Sequence, residues 1–135
     1  MRPHHLALTL SVAVTGCASG QQYVTEAKNL YAQYDGEVGQ LLQRNAAVAE
    51  RASKLSSETP GLKGLMDQIA LNKTHLEGLK NDLGSYPTKI GDAVNAKKMN
   101  EAEAMLVKDR EMARTYRLGD IADLKRLEGK LTEME

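Results

Sequence analysis

Phenylalanine and tryptophan are missing from this 135-residue chain, and its 4% of aromatic residues are all tyrosine. With so few aromatic and β-branched side chains, a β-rich fold lacks the residues that pack well on a pleated surface. A single cysteine excludes an internal disulfide framework. Neither sign of charge dominates: 18 lysines and arginines balance 18 aspartates and glutamates. That balance removes the broad basic field of a nucleic-acid binder. Long hydrophobic runs are lacking too. The 41% of hydrophobic residues suffices for one core but not for repeated membrane spans, each of which needs about 20 consecutive apolar residues. What is plentiful is alanine, leucine, lysine and glutamate, all strong helix formers, in a length that suits one domain.

The chain opens with a weakly basic stretch, Met1-Arg2-Pro3-His4-His5, followed by an uncharged run from Leu6 to Val14. That run is too short to cross a bilayer and suits the apolar region of a secretory signal. It ends in Val14-Thr15-Gly16-Cys17, which resembles the lipobox of bacterial lipoproteins: an aliphatic residue, a small or β-branched one, a small one, then cysteine. The resemblance implies diacylglycerol transfer to the Cys17 thiol, cleavage after Gly16 and acylation of the new amino terminus. Several acyl chains on one residue give lasting attachment, whereas one chain alone is marginal. For a Gram-negative source, Ala18 in place of aspartate implies sorting to the outer membrane, facing the periplasm. The expected organisation is a cleaved signal over residues 1–16, a lipidated cysteine with a short tether over 17–22, and a helical domain over 23–135. Processing leaves one histidine, His75, no free thiol and a net charge of about −1.

Beyond the tether, apolar residues recur in alternating steps of three and four. The first seam is Val24, Ala27, Tyr31, Tyr34, Val38, Leu41, Asn45, Val48, Ala52 and Leu55, a sustained heptad pattern. Glu58-Thr59-Pro60-Gly61 interrupts it, with Thr59 suited to an N-cap and Pro60 to the first helical position. The second seam is Leu62, Leu65, Ile69, Asn72, Leu76, Leu79, Leu83, Tyr86, Ile90 and Ala93. Folding the chain back at the turn sets residues whose numbers sum to 117 opposite each other, so Asn45 and Asn72 fall in one layer. Paired, they satisfy each other and fix the register; alone, each would lose hydrogen bonds. The same folding sets Tyr31 opposite Tyr86. Pro87 lies inside the second segment, yet the seam keeps step across it, which favours one kinked helix over a break. Asn100 and Glu103 resemble a capping box that opens a third helix. Its apolar positions run from Ala102 to Met134 and slip between Arg117 and Asp120. Helices over about 22–57, 61–96 and 100–134 predict an all-α, antiparallel up-down-up three-helix bundle, a helical hairpin coiled coil with a third member.

Chemistry is sparse by comparison. His75 has no carboxylate or thiolate three or four residues away on its own helix, so neither a metal pair nor an orienting acid is local. Asp120 and Asp123 read as part of a solvated face, and the glycines are dispersed rather than gathered in a phosphate loop. No catalytic residue, metal ligand, cofactor or small-molecule substrate is evident. Arg110, Arg114 and Arg117 share one stripe of the third helix and offer contact to an anion or a partner. The expected function is a lipid-anchored, non-catalytic helical module that binds or scaffolds another envelope component. The alternatives are a self-associating structural envelope lipoprotein and, further off, an enzyme or metal protein.

Overall fold

The computed structural model describes residues 19–135. The lipobox residues Val14, Thr15, Gly16 and Cys17 lie outside the described residues. What is described is all-α: α1 spans Ser19–Ser53, α2 Leu62–Asn95, α3 Met99–Thr115 and α4 Ile121–Met134, with a π-helical turn over Tyr116–Asp120 joining the last two. There is no strand among the described residues.

Periodicity explains the core directly. Val24, Ala27, Tyr34, Val38, Leu41, Val48 and Ala52 of α1 are buried, as are Leu62, Leu65, Ile69, Leu76, Leu79, Leu83, Ile90 and Ala93 of α2. The α3–α4 segment contributes Ala102, Leu106, Ala113, Tyr116, Leu124, Leu127 and Leu131. In the first seam Tyr31 is exposed, at 38%, and Leu55 is only half-buried. Tyr31 does not pair with Tyr86; the ring contact in the core is instead edge-on between Tyr34 and Tyr116, with centroids 5.8 Å apart.

Helix ends depart from the sequence reading. α1 begins at Ser19, so Gln21 and Gln22 belong to the helix and not to a tether. Gly20 is buried there, and a Cβ on it would come within 2.8 Å of the Val94 and Met99 side chains. The other end of α1 stops at Ser53, before the expected 57, and its last turn tightens through Leu55 N–H donating to the Ala52 carbonyl at 3.1 Å. Neither Thr59 nor Pro60 opens α2. Gly61 does, in the left-handed region at φ 79°, a conformation glycine adopts without Cβ strain. Lys98, not Asn100, precedes α3, and no side-chain cap forms there. α2 closes instead on a Schellman motif: Lys98 N–H reaches the Ala93 carbonyl at 2.8 Å, Lys97 N–H reaches that of Val94 at 3.0 Å, and Lys97 sits at φ 59°.

α2 runs unbroken through Pro87, although proline cannot donate to the carbonyl four residues back. The π-turn answers the slip in the last seam. From Tyr116 to Leu124 the core step is eight residues instead of seven, and a turn of i→i+5 bonds takes up one extra residue. Both halves of the segment thereby keep their apolar stripe inward.

Candidate functional site

Polar side chains enter the core at three levels, and each is treated differently. Asn45 is 2% exposed. Its Nδ2 donates to the Ile69 carbonyl at 3.1 Å, and its Oδ1 accepts from Asn72 Nδ2 at 2.9 Å. The two seam asparagines therefore meet in one layer, as the folded-back numbering requires. A similar antiparallel contact joins Lys80 to Asp35 at 2.8 Å.

Two buried carboxylates escaped the sequence reading. Asp109, between Leu106 and Ala113, is 1% exposed, and neither of its carboxylate oxygens has a partner among the described residues. Burial, with the Glu26 charge adding to it, pushes its carboxyl up to about 6. Asp120 is also buried, which corrects its placement on a solvated face. It closes the π-turn, and its Oδ1 lies 2.8 Å from His75 Nε2 while Oδ2 has no partner among the described residues. So the carboxylate that His75 lacks on its own helix arrives from the third segment. The seam itself carried a signal: residues 109 and 120 each sit where an apolar residue is due, three after Leu106 and four before Leu124. Among the described residues no group of three His, Cys, Asp or Glu side chains is placed to hold a metal ion.

The arginine stripe is largely engaged. Arg110 forms a two-pronged pair with Glu26, Nη2 to Oε1 being 2.7 Å. That bond lowers the Glu26 pKa. Arg114 lies 3.6 Å from Glu111, and the Arg117 side chain is outside those described. Arg110 belongs to a set that single-helix reasoning missed. Arg44 grips Glu128 at 3.2 and 2.5 Å, and Arg51 grips Glu135 through two nitrogens, Nε to Oε2 being 3.1 Å. Each of these pairs is 84 residues apart, so the last segment follows α1 in a parallel sense with one constant offset.

Two of the surface concavities lie between neighbouring helices and bear on binding. A groove of about 520 Å³ lies between α1 and α2 and is lined by Leu42, Ala46, Ala49, Met66, Ala70 and neighbours, with Lys73 and Glu77 at one edge. A cleft of about 330 Å³ lies between α2 and α3 beside the His75–Asp120 pair. No helix among the described residues is long and apolar enough to cross a membrane. No family model, curated protein or solved structure matches the chain.

Proposed function

We propose that this chain is a lipid-anchored bacterial envelope protein whose up-down-up three-helix bundle is a non-catalytic module for binding or scaffolding another envelope protein. Support for the anchor is Val14-Thr15-Gly16-Cys17 behind a short apolar run. Support for the bundle is the antiparallel pairing of α1 with α2 and the constant parallel offset of the last segment. With α1 beginning at Ser19, acyl chains on Cys17 would hold the bundle against the bilayer with almost no spacer. In a Gram-negative source the membrane is the outer one, on its periplasmic side.

The observation that carries the binding role is the open groove between α1 and α2. Beside the seam each of these helices bears a second stripe, Leu42, Ala46 and Ala49 on one and Met66 and Ala70 on the other. Its alanines let another helix backbone come close, and Lys73 and Glu77 offer both signs of charge at the edge. The occupant that fits is an amphipathic helix of a partner protein. The anchor's own acyl chains are too distant, since Leu42 lies about 35 Å along α1 from Ser19 at 1.5 Å per residue.

A photocrosslinking residue placed at Met66 in cells tests this. A heterotypic adduct that disappears in Ala46→Arg supports the reading, and its absence overturns it. An adduct of twice the chain mass would favour self-association instead. For the anchor, Cys17→Ser should move the protein out of the membrane fraction and abolish a diacylglyceryl mass adduct. Retention in the membrane fraction would remove the lipid from the account.

A further inference from the structure

We propose that the α2–α3 turn, residues 96–99, is a second membrane contact that stands the bundle upright on the phospholipid headgroups of the leaflet holding the anchor. This contact rests on the reading of Cys17 as the acylated residue and adds to it the surface that meets lipid.

Three helix ends share one pole. α1 starts at Ser19, α2 ends at Asn95 and α3 starts at Met99. Gly20 ties them together, since it is buried and a Cβ on it would come within 2.8 Å of the Val94 and Met99 side chains. Cys17 precedes Ser19 by two residues, a span of about 7 Å at most in extended chain. Acyl chains on Cys17 therefore bring the turn and the bilayer together, and lipid is what covers the turn.

The side chains at the tip suit that surface. Ala96, Lys97 and Lys98 are exposed, and Met99 is 37% exposed. Lys54, Lys63 and Lys80 each have a carboxylate partner, but Lys97 and Lys98 have none among the described residues. Asp92, Glu101 and Glu103 are exposed on the adjoining turns and not on the tip itself. Lysine ammonium groups pair with headgroup phosphates while their alkyl stems and a methionine thioether settle toward the acyl boundary.

The backbone points the same way. Lys97 sits at φ 59°, where glycine is at ease and a residue with a Cβ is strained. Fold stability by itself favours glycine at this helix end, so what lysine adds there is its side chain. The α1–α4 flank is no substitute contact, because Arg110, Arg44 and Arg51 are already answered by Glu26, Glu128 and Glu135. In the upright pose Leu42 and Ala49 stand about 35 and 45 Å beyond Ser19, at 1.5 Å per residue. A helix in a partner's aqueous domain reaches the α1–α2 groove at that height, and a helix embedded in the bilayer does not.

Nitroxide depth measurement on the full-length lipidated chain, in vesicles of phosphatidylethanolamine and phosphatidylglycerol, tests the contact. Labels go on Ala96→Cys at the tip and Ala46→Cys in the groove, both exposed positions; an acylated Cys17 offers no free thiol. The tip label should meet oxygen dissolved in lipid and be shielded from a water-soluble nickel chelate, whereas the groove label should meet the chelate freely. Lys97→Gly/Lys98→Ser should keep or raise the thermal midpoint, because glycine relieves the positive φ. The same variant should shift the tip from lipid to water by about thirtyfold, at roughly fivefold per lysine. A tip label as open to the chelate as the groove label, or unmoved in the double variant, overturns the contact. Mass spectrometry of the same sample separates the two readings. Absence of a diacylglyceryl adduct at Cys17 overturns anchor and contact together, and an adduct with the tip label in water overturns the contact alone.

Discussion

The two ends of the molecule are built differently. Toward the α1–α2 connection the core is made of large side chains: Leu41, Val48, Leu62, Leu65, Ile69, Leu76, Leu124, Leu127 and Leu131 belong to one continuous cluster. Toward the α2–α3 connection a separate cluster holds Val24, Ala27, Ile90, Ala93, Ala102 and Leu106, half of it alanine. Two of the three buried polar residues follow the same division, while Asp120, between Tyr116 and Leu124 of the large cluster, departs from it. Asn45, in the large cluster's half, has partners for both its amide nitrogen and its oxygen, whereas Asp109, beside the small cluster, has two oxygens without a partner among the described residues. A seam can therefore carry a polar residue at little cost where a neighbour answers it, and at real cost where none does. This contrast predicts that the end holding Val24, Ala27, Ile90 and Ala93 is the less stable one.

The largest test of this contrast is Leu76→Ala. Leu76 is fully buried in the large cluster, and such truncations cost about 3 kcal/mol, readable from denaturant midpoints. Hydrogen exchange should show amides of residues 24–27 and 90–106 opening at lower free energy than those around Leu76 and Leu127. Equal protection at both ends would erase the distinction.

Asp109→Leu should act in the opposite direction. The folded protein holds the Asp109 proton up to about pH 6, against an ordinary 3.8. A group whose folded pKa is raised contributes its full stability below the unfolded value and loses it as pH rises through the folded one. Stability should thus fall between about pH 4 and pH 6, and above pH 6 the buried charge costs about 3 kcal/mol. Glu26 and Tyr86 are the titratable groups coupled to it. The leucine variant should gain about 2 kcal/mol at pH 7 and lose that slope. Thermal midpoints at pH 4 and pH 7 check both. A wild-type protein that grows more stable across this interval relative to the variant would contradict the assignment.

That carboxylate also marks where the sequence stops being legible. In α1 and α2 the apolar steps are regular, so the core and the Asn45–Asn72 layer follow from spacing alone. In the last segment a single extra residue breaks the count, and residues 109 and 120, being aspartates, look like surface. Aspartate at a core position is rare enough that the step from Leu106 to Ala113 reads as a gap. The turns were hidden for a different reason. Thr59, Pro60 and Asn100 have good capping chemistry, but the backbone turns on Gly61 and Lys97 at positive φ, and short-range preference yields to the path the packed helices require. His75 and Asp120 are 45 residues apart, a contact that exists only once the slip is placed correctly.

The paired asparagines give a smaller effect than either core change. Asn72→Leu removes the donor to Asn45 Oδ1 and should cost about 1 kcal/mol. Asn45→Leu alone keeps the fold but loosens the register. Replacing both should recover most of the loss, because no orphan group remains. A double variant less stable than either single one would show that the layer does not act as a pair.

The smallest effect, and the finest probe of the two ends, lies in the arginine–glutamate pairs. Arg44–Glu128 and Glu26–Arg110 have the same two-pronged form and the same 84-residue separation. Their side chains are 40% and 31% exposed in the first pair and 54% and 40% in the second, in the order arginine then glutamate. Pairs this exposed couple by about 0.5 kcal/mol and weaken in high salt. A double-mutant cycle on Arg44 and Glu128 should therefore give nearly equal single losses. The cycle on Glu26 and Arg110 should not, because Glu26 also raises the Asp109 pKa. Arg110→Gln leaves the Glu26 charge unanswered beside that buried carboxylate, whereas Glu26→Gln relieves it. The arginine change should cost more than the glutamate change, and Asp109→Leu should erase the difference. Equal losses at pH 7 in the presence of Asp109 would mean that the orphan carboxylate and the surface pair are energetically separate.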